Sequence, residues 1–174
     1  MLALALALAC GSSPTPPDQL PARLDDVEPR ILGGWLDDLG FAVEVHGDVL
    51  RVAVPDDAPE ATPLAVTVHV DARARAVLLV AGPLVTLDDA PDDDAVGRVL
   101  TEVAVRNYDR AEGKLQLDPE SGAVLLSVEL ETDEGLGRPT FEAGLKTLVA
   151  ESRAARPALA AALGSARPEE GSTP

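Results

Sequence analysis

The chain has 174 residues, of which 46% are hydrophobic, so it is long enough for one domain with a sizeable core and too apolar for a disordered protein. Aromatic residues make up only 2%, so we expect a core of aliphatic and β-branched side chains. The 14 Lys and Arg residues against 30 Asp and Glu residues give a formal net charge of −16, which repels phosphates and disfavours nucleic-acid binding.

The first ten residues end at Cys10, the only cysteine, so an intramolecular disulfide and a cysteine-based metal cluster are excluded. The run LALALALA at 2–9 is shorter than the ~20 residues that a membrane-spanning helix needs. An apolar run, the small residue Ala9 and then a cysteine resemble the end of a bacterial lipoprotein signal peptide, although its positively charged start is missing. This resemblance implies an acylated Cys10 and a membrane-anchored domain that faces the periplasm. An apolar N-terminus on a cytoplasmic protein is the alternative.

The chain divides into four parts by composition. Residues 1–9 form the signal-like segment, and residues 10–26 form a tether that contains the Gly, Ser and Pro residues of GSSPTPP. Residues 27–163 are predicted to form a single α+β domain, and residues 164–174 a disordered tail.

The domain begins with a helical pattern that changes into strands. Apolar residues at spacings of three and four predict a helix from near Glu28, with Pro29 in its first turn and Gly40 at its end. The apolar residues of this pattern are Leu20, Leu24, Val27, Ile31, Trp35 and Leu39. The strands FAVEVH and VLRVAV follow, joined by a two-residue turn at Gly47-Asp48. After the loop PDDAPEATP, LAVTVHVD and AVLLVAG form a second hairpin.

The second half repeats this alternation of helix and hairpin. Asp residues within 88–94 suit the first turn of a helix that ends at Asn107. The strands KLQLD and AVLLSVELE come next, and then a helix that carries Phe141, Leu145 and Leu148 and that Pro157 kinks or ends. The order α-β-β-β-β-α-β-β-α with short connections predicts a two-layer α+β domain, an antiparallel sheet with helices on one face.

Candidate chemistry is sparse. His46 and His69 are the only histidines, and His69 shares a strand face with Asp71, so the three could bind a metal if their strands were neighbours. Solvent-facing strand histidines explain the pattern better. The Asp-rich stretch lacks the ligand spacing of a calcium loop, and no serine lies in a G-x-S-x-G motif. We therefore predict a protein without enzymatic activity or cofactor, and keep a metal-binding or enzymatic protein that uses His46, His69 and Asp71 as an alternative.

Residues 28–163 resemble the YbjN / type III secretion chaperone-like (Tir chaperone-like) superfamily in pattern and order. The helix end VAVRN at 103–107, the loop glycine Gly113, the acidic turn at 118–122 and the aromatic Phe141 carry the resemblance. It implies a small, acidic, non-enzymatic bacterial protein with a secretion-chaperone-like fold. Chaperones of this superfamily dimerise and hold a disordered stretch of an effector, and YbjN-type proteins are described as regulators.

The resemblance and the sequence together predict a protein-binding, chaperone-like or regulatory domain, anchored to the membrane only through Cys10. It would hold an extended or apolar segment of a partner protein, or pair with itself; a cytoplasmic type III secretion chaperone is the alternative. The long loop before LAVTVHVD suggests that this strand is an edge, which makes Val66, Thr67 and Val68 the candidate partner-binding residues. The apolar face around Phe141 and Leu145 is the second candidate surface.

Overall fold

The computed structural model describes residues 23–24, 26–55, 62–109 and 112–164. The predictions for the signal-like segment, for Cys10, for the tether up to residue 22 and for the tail from residue 165 lie outside these described residues.

The described part of the chain contains three α-helices, eight strands and one turn of 3₁₀-helix at Leu87–Asp89. The helices are α1 (Pro29–Asp38), α2 (Asp93–Asp109) and α3 (Arg138–Gly164). The strands are β1 (Arg23–Leu24), β2 (Val43–His46), β3 (Val49–Val54), β4 (Leu64–Asp71), β5 (Ala76–Thr86), β6 (Lys114–Leu117), β7 (Ala123–Glu131) and β8 (Leu136–Gly137). The predicted order of helices and strands is therefore present, with two short strands added.

The predicted α+β fold is confirmed. Six strands form one antiparallel sheet in the order β2-β3-β4-β5-β7-β6. The added strands β1 and β8 pair with each other in a separate small sheet, where Leu24 lies opposite Leu136. Leu24 is only 4% exposed, so at least part of the stretch assigned to the tether belongs to the folded domain.

The prediction that LAVTVHVD is an edge strand is wrong. This strand is β4, and Thr67 lies between Arg51 of β3 and Val80 of β5. The loop between β3 and β4 is long, but its length does not separate the two strands, because they still pair along six residue pairs. Val66 and Val68 are buried beneath the helices, at 1% and 0% exposure, so the surface argued for them does not exist in this fold.

The helices cover one face of the sheet, and glycines lie at two places where they approach it closely. A Cβ on Gly33 of α1 would lie 3.3 Å from Leu50, and a Cβ on Gly144 of α3 would lie 2.8 Å from Leu130. Helix α3 does not end at Pro157, as one of the two predicted outcomes had it, but continues to Gly164. Among the described residues, no helix combines the length and the apolarity that crossing a membrane requires.

The core joins α1 to α3 through the two large aromatic side chains. The rings of Trp35 and Phe141 are both fully buried and their centroids lie 5.7 Å apart. At the surface, Arg138 donates to Asp38 of α1 at 2.7 Å and to Glu142 of its own helix at 2.9 Å. These hydrogen bonds, first to Glu142 and then to Asp38, raise the pKa of Arg138. Phe141 is therefore a core residue, and not part of an exposed apolar face.

Candidate partner-binding surface

The open edge of the sheet is β2. Asp48, which directly precedes β3, accepts a hydrogen bond through its carbonyl oxygen from the backbone N–H of Val70 in β4. The even-numbered residues of β3 therefore direct their backbone N–H and C=O groups towards β4. The odd-numbered residues of β3 then bond to Glu44 and His46, and the backbone groups of Val43 and Val45 face away from the sheet. No strand of the described chain lies beside them. We call the outward backbone of Val43–His46 the β2 edge.

An apolar groove lies at the N-terminal end of this edge. It has a volume of about 360 Å³ and is bordered by the end of α1, the residue pair Phe41 and Val54, and one side of α3. We call it the Phe41 groove; its lining residues are Leu39, Phe41, Val54, Glu142, Leu145, Lys146, Val149, Ala150 and Arg153. Leu145 thus lines a groove, although only 4% of it is exposed. Phe41, which lines the groove, lies two residues before Val43, so the apolar groove and the unpaired backbone are neighbours along the chain.

The opposite edge strand, β6, is closed by a side chain. The carboxamide of Asn107, near the end of α2, accepts a hydrogen bond from the backbone N–H of Leu115 at 2.8 Å. Its Nδ2 donates to the carbonyl oxygen of the same residue at 2.9 Å. Asn107 therefore occupies both outward backbone groups of Leu115, in place of a neighbouring strand. The sequence showed Asn107 only as a helix end, and nothing in the sequence alone connects it to the strand that it covers.

Helix α2 presents an uncharged face to solvent. Leu100, Val105 and Tyr108 are 40%, 51% and 91% exposed; the exposed Ala104 lies between them, and the exposed Gly97 lies one turn ahead of Leu100. The first turn of the helix carries Asp93 and Asp94. Beyond that turn, Arg98 donates to the carbonyl oxygen of Ala162 on α3, and Arg106 pairs with Glu102. An exposed apolar stripe on a helix that packs on α3 is typical of a surface that contacts another protein.

The structure does not bring His46, His69 and Asp71 together. His46 and His69 both lie opposite Val49, on strands that β3 separates, so their backbones are about 10 Å apart. The Nε2 atom of His46 lies 3.6 Å from a carboxylate oxygen of Glu44. The Nε2 atom of His69 forms a hydrogen bond with the hydroxyl of Thr67 at 3.2 Å. Asp71 accepts hydrogen bonds from two backbone N–H groups in its own turn, which lower its pKa.

In the Asp-rich stretch, Asp92 has a local structural role. Asp92 accepts a hydrogen bond from the backbone N–H of Ala95 at 2.7 Å and caps α2. Within the described ranges, no three His, Cys, Asp or Glu side chains are grouped as a metal site would require. The geometry therefore offers surfaces for a polypeptide, and the arrangement of the predicted ligand residues supports no metal centre.

Residues 63–156 match the model of the Tir chaperone protein (CesT) family, which spans more than half of the chain. The chain belongs to this family. The CesT match covers β4 to most of α3, and so includes the predicted superfamily motifs at 103–107, 113, 118–122 and 141. The resemblance found in the sequence is thereby confirmed.

Two solved structures show the same fold. The E. coli protein YbjN is 18% identical, with a TM-score of 0.51 over 75% of this chain and 87% of YbjN. A chain of the HopA1–SchA chaperone–effector complex is 19% identical, with a TM-score of 0.50 over 72% of this chain and 90% of that chain. The comparison with curated proteins gave no match. At these identities the likeness to the solved structures concerns the fold alone.

Proposed function

We propose that this CesT-family protein is a non-enzymatic chaperone-like domain that holds an extended segment of a partner protein along the β2 edge and in the Phe41 groove. The observation that carries the proposal is the proximity of the two along the chain: Phe41, which lines the groove, lies two residues before Val43, where the outward backbone groups begin. Strand addition to such an edge supplies main-chain hydrogen bonds, and pockets beside the edge select the side chains.

The energetic division between edge and groove follows from their chemistry. Backbone pairing at Val43 and Val45 does not depend on the partner's sequence. Val45 is 51% exposed in the free protein, and the added strand would cover its side chain. Burial of one large apolar side chain in the Phe41 groove contributes about 1.5–3 kcal/mol. The expected partner segment is therefore extended and carries an apolar anchor residue just beyond its paired stretch.

The family supports a protein as the partner. The CesT family is named for a chaperone, and the HopA1–SchA structure is a chaperone–effector complex. An effector-like protein held by a cytoplasmic secretion chaperone is one setting for the proposed function. A regulatory domain that uses the same surface is the other.

We also propose that the protein forms a homodimer through the uncharged face of α2. Two copies of this face would bury Leu100, Val105 and Tyr108, which are otherwise exposed. A Leu100→Glu variant is expected to run as a monomer in size-exclusion chromatography with light scattering, because it places a charge at the centre of the interface. If the unchanged protein is already a monomer at about 100 μM, its self-association is too weak for this proposal.

The membrane anchor at Cys10 remains a separate proposal that rests on the sequence. Expression of the gene with its upstream reading frame and intact-mass measurement of the product decides it. Acylated protein that begins at Cys10, in the membrane fraction, is the expected result. An unmodified and uncleaved N-terminus in the soluble fraction contradicts the anchor and favours the cytoplasmic setting.

The proposed function is tested with a fluorescein-labelled peptide in which Val and Thr alternate next to a single Phe. A Val45→Pro variant removes an outward N–H that the fold does not use, so we expect the unfolding transition to be retained and peptide binding to fall at least about tenfold. Val45→Ala is the matched control, because it keeps the backbone donor. Equal peptide binding by the unchanged protein and by Val45→Pro would remove the β2 edge from the proposal.

A further inference from the structure

The second cavity of the fold lies beside a stretch of β7 that lacks a neighbour on one side. Pairing between β6 and β7 begins at Lys114 and Ser127 and runs away from the C-terminal end of β7. The next residues of β7, Glu129–Glu131, pair with β5 on one side only, and no described strand lies on the other. Among the described residues, the sheet therefore has an opening in line with β6.

The backbone of this stretch faces the opening. Thr132, which follows β7, donates its N–H to the carbonyl oxygen of Arg75 at the start of β5, so the even-numbered residues of β7 point towards β5. The hydrogen bonds between Asn107 and Leu115 lead to the same conclusion. They show that the backbone groups of Leu115 point away from β7, so its neighbour Lys114 is the residue that bonds to β7, opposite the odd-numbered Ser127. Glu129 and Glu131 then direct their N–H and C=O groups into the opening.

The walls of the opening fit a polypeptide backbone. The cavity has a volume of about 450 Å³, and α3 contributes only short side chains to it: Thr140, Ala143, Gly144 and Thr147. Helix α3 also lies very close to β7, since a Cβ on Gly144 would lie 2.8 Å from Leu130. A segment inserted here has room for its main chain and for small side chains on the helix side.

The charges around the opening are mainly negative. Glu112 and Glu129 line it, Glu131 follows on the same face of the strand, and all three are exposed. The one cation in the lining is Lys114, whose Nζ donates to the carbonyl oxygen of Asn107 at 3.3 Å. An added strand would place one residue directly opposite Glu129 on the outer face of the sheet, where a cationic side chain is favoured.

We propose that this opening, which we call the β7 slot, binds a second short stretch of the extended partner segment, with Lys or Arg opposite Glu129 and a small residue on each side of it. The flanking residues face α3, which lies so close to β7 that a Cβ on Gly144 would be 2.8 Å from Leu130, so small side chains are favoured there. The proposal rests on the proposed function, because it specifies the chemistry of the same partner at a second place on the sheet.

The test uses capped peptides that contain Ala-Lys-Ala or Ala-Glu-Ala between threonines, titrated into ¹⁵N-labelled protein. We expect the Lys peptide to shift the amide signals of Glu129 and Glu131 and to bind at least about tenfold more tightly than the Glu peptide at low salt. This difference is expected to shrink at high salt, because the pairing is between exposed charges. In Glu129→Lys the preference between the two peptides is expected to reverse.

Two matched variants separate the slot from the rest of the surface. Ala143→Leu fills the slot and is expected to abolish binding of the Lys peptide, whereas Ala154→Leu, also exposed on α3 but outside the cavity, is expected to leave it unchanged. Equal affinity for the two peptides, or unchanged binding by Ala143→Leu, overturns the slot. Val45→Pro is expected to bind the Lys peptide normally, so a failure of the β2 edge and a failure of the β7 slot give different results.

Discussion

Ser152 is a buried hydroxyl in the middle of α3. It is fully buried, and its Oγ has no hydrogen-bond partner among the described residues. A buried polar group left without a partner costs about 1–3 kcal/mol. Position 152 therefore lowers the stability of the helix that borders both the Phe41 groove and the β7 slot.

We predict that Ser152→Ala raises the free energy of unfolding by about 1 kcal/mol, because it removes an unsatisfied hydroxyl and adds a better helix former. Urea unfolding followed by circular dichroism measures the change. Ser127→Ala is the matched control: this serine is also buried, but its Oγ donates to the carbonyl oxygen of Lys114 at 3.4 Å, so no gain is expected. A loss of stability in Ser152→Ala would show that the hydroxyl is used.

At the scale of single residues, the alternation of the strands was readable from the sequence. Leu50, Val52 and Val54 were predicted to face inward and are buried, because a period of two in a pleated strand separates the two faces. The residues that form the candidate functional sites could not be identified from the sequence. His46 and His69, which the sequence offered as an alternative metal site, are separated by β3, since strand order depends on long-range packing that residue spacing does not encode.

At the scale of elements, the two edges of the sheet differ. The β2 edge is open, whereas a side chain from α2 closes the middle of β6 through both backbone groups of Leu115. Open edges promote unwanted pairing between chains, and a covered edge prevents it. Because Leu115 is covered, the proposed strand addition is expected at β2 and in the short β7 slot.

We predict that Asn107→Ala lowers the free energy of unfolding by about 1–3 kcal/mol, because two backbone groups of Leu115 lose their partner. The same variant is expected to associate in a concentration-dependent way through β6, which sedimentation velocity measures. Asn107→Asp keeps an acceptor for the N–H of Leu115 and loses the donor to its carbonyl oxygen, so its stability should fall as well. Unchanged stability in Asn107→Ala would show that water replaces the carboxamide without cost.

The helices and the longer strands were predicted correctly as elements, and the errors have physical causes. The sequence placed LAVTVHVD at an edge because of its long preceding loop, but loop closure costs little extra as a loop grows, so length is a poor guide to neighbours. The strands β1 and β8 have two residues each, which is too short for any periodicity. The predicted strand AVLLVAG continues through Pro83 to Thr86, because a register shift after Ala81 accommodates the proline.

At the scale of the whole molecule, negative charge dominates. The formal net charge is −16, and the ion pairs of the described residues include the pair of Arg138 with Asp38 and the local pair of Arg106 with Glu102. Self-repulsion of this size opposes the compact state and is screened by salt. The attraction within a few surface pairs is screened as well, but these contribute only about 0–1 kcal/mol each.

We therefore predict that the melting temperature rises as NaCl is increased from about 10 mM to about 300 mM, a range over which the screening length falls below about 10 Å. Differential scanning fluorimetry measures the shift, and KCl at equal ionic strength is the control for ion-specific effects. A melting temperature that falls with salt would mean that favourable ion pairs outweigh the repulsion.

The small sheet of β1 and β8 has a mechanical consequence. A pulling force on the chain ahead of Arg23 acts first on this two-residue pair, where Arg23 and Leu24 lie opposite Gly137 and Leu136. So short a pair peels apart before the six-stranded sheet is strained, which makes it the yielding point of the fold. Until this pair separates, a load at the N-terminal end acts through Gly137 on the start of α3, the helix that borders both the Phe41 groove and the β7 slot.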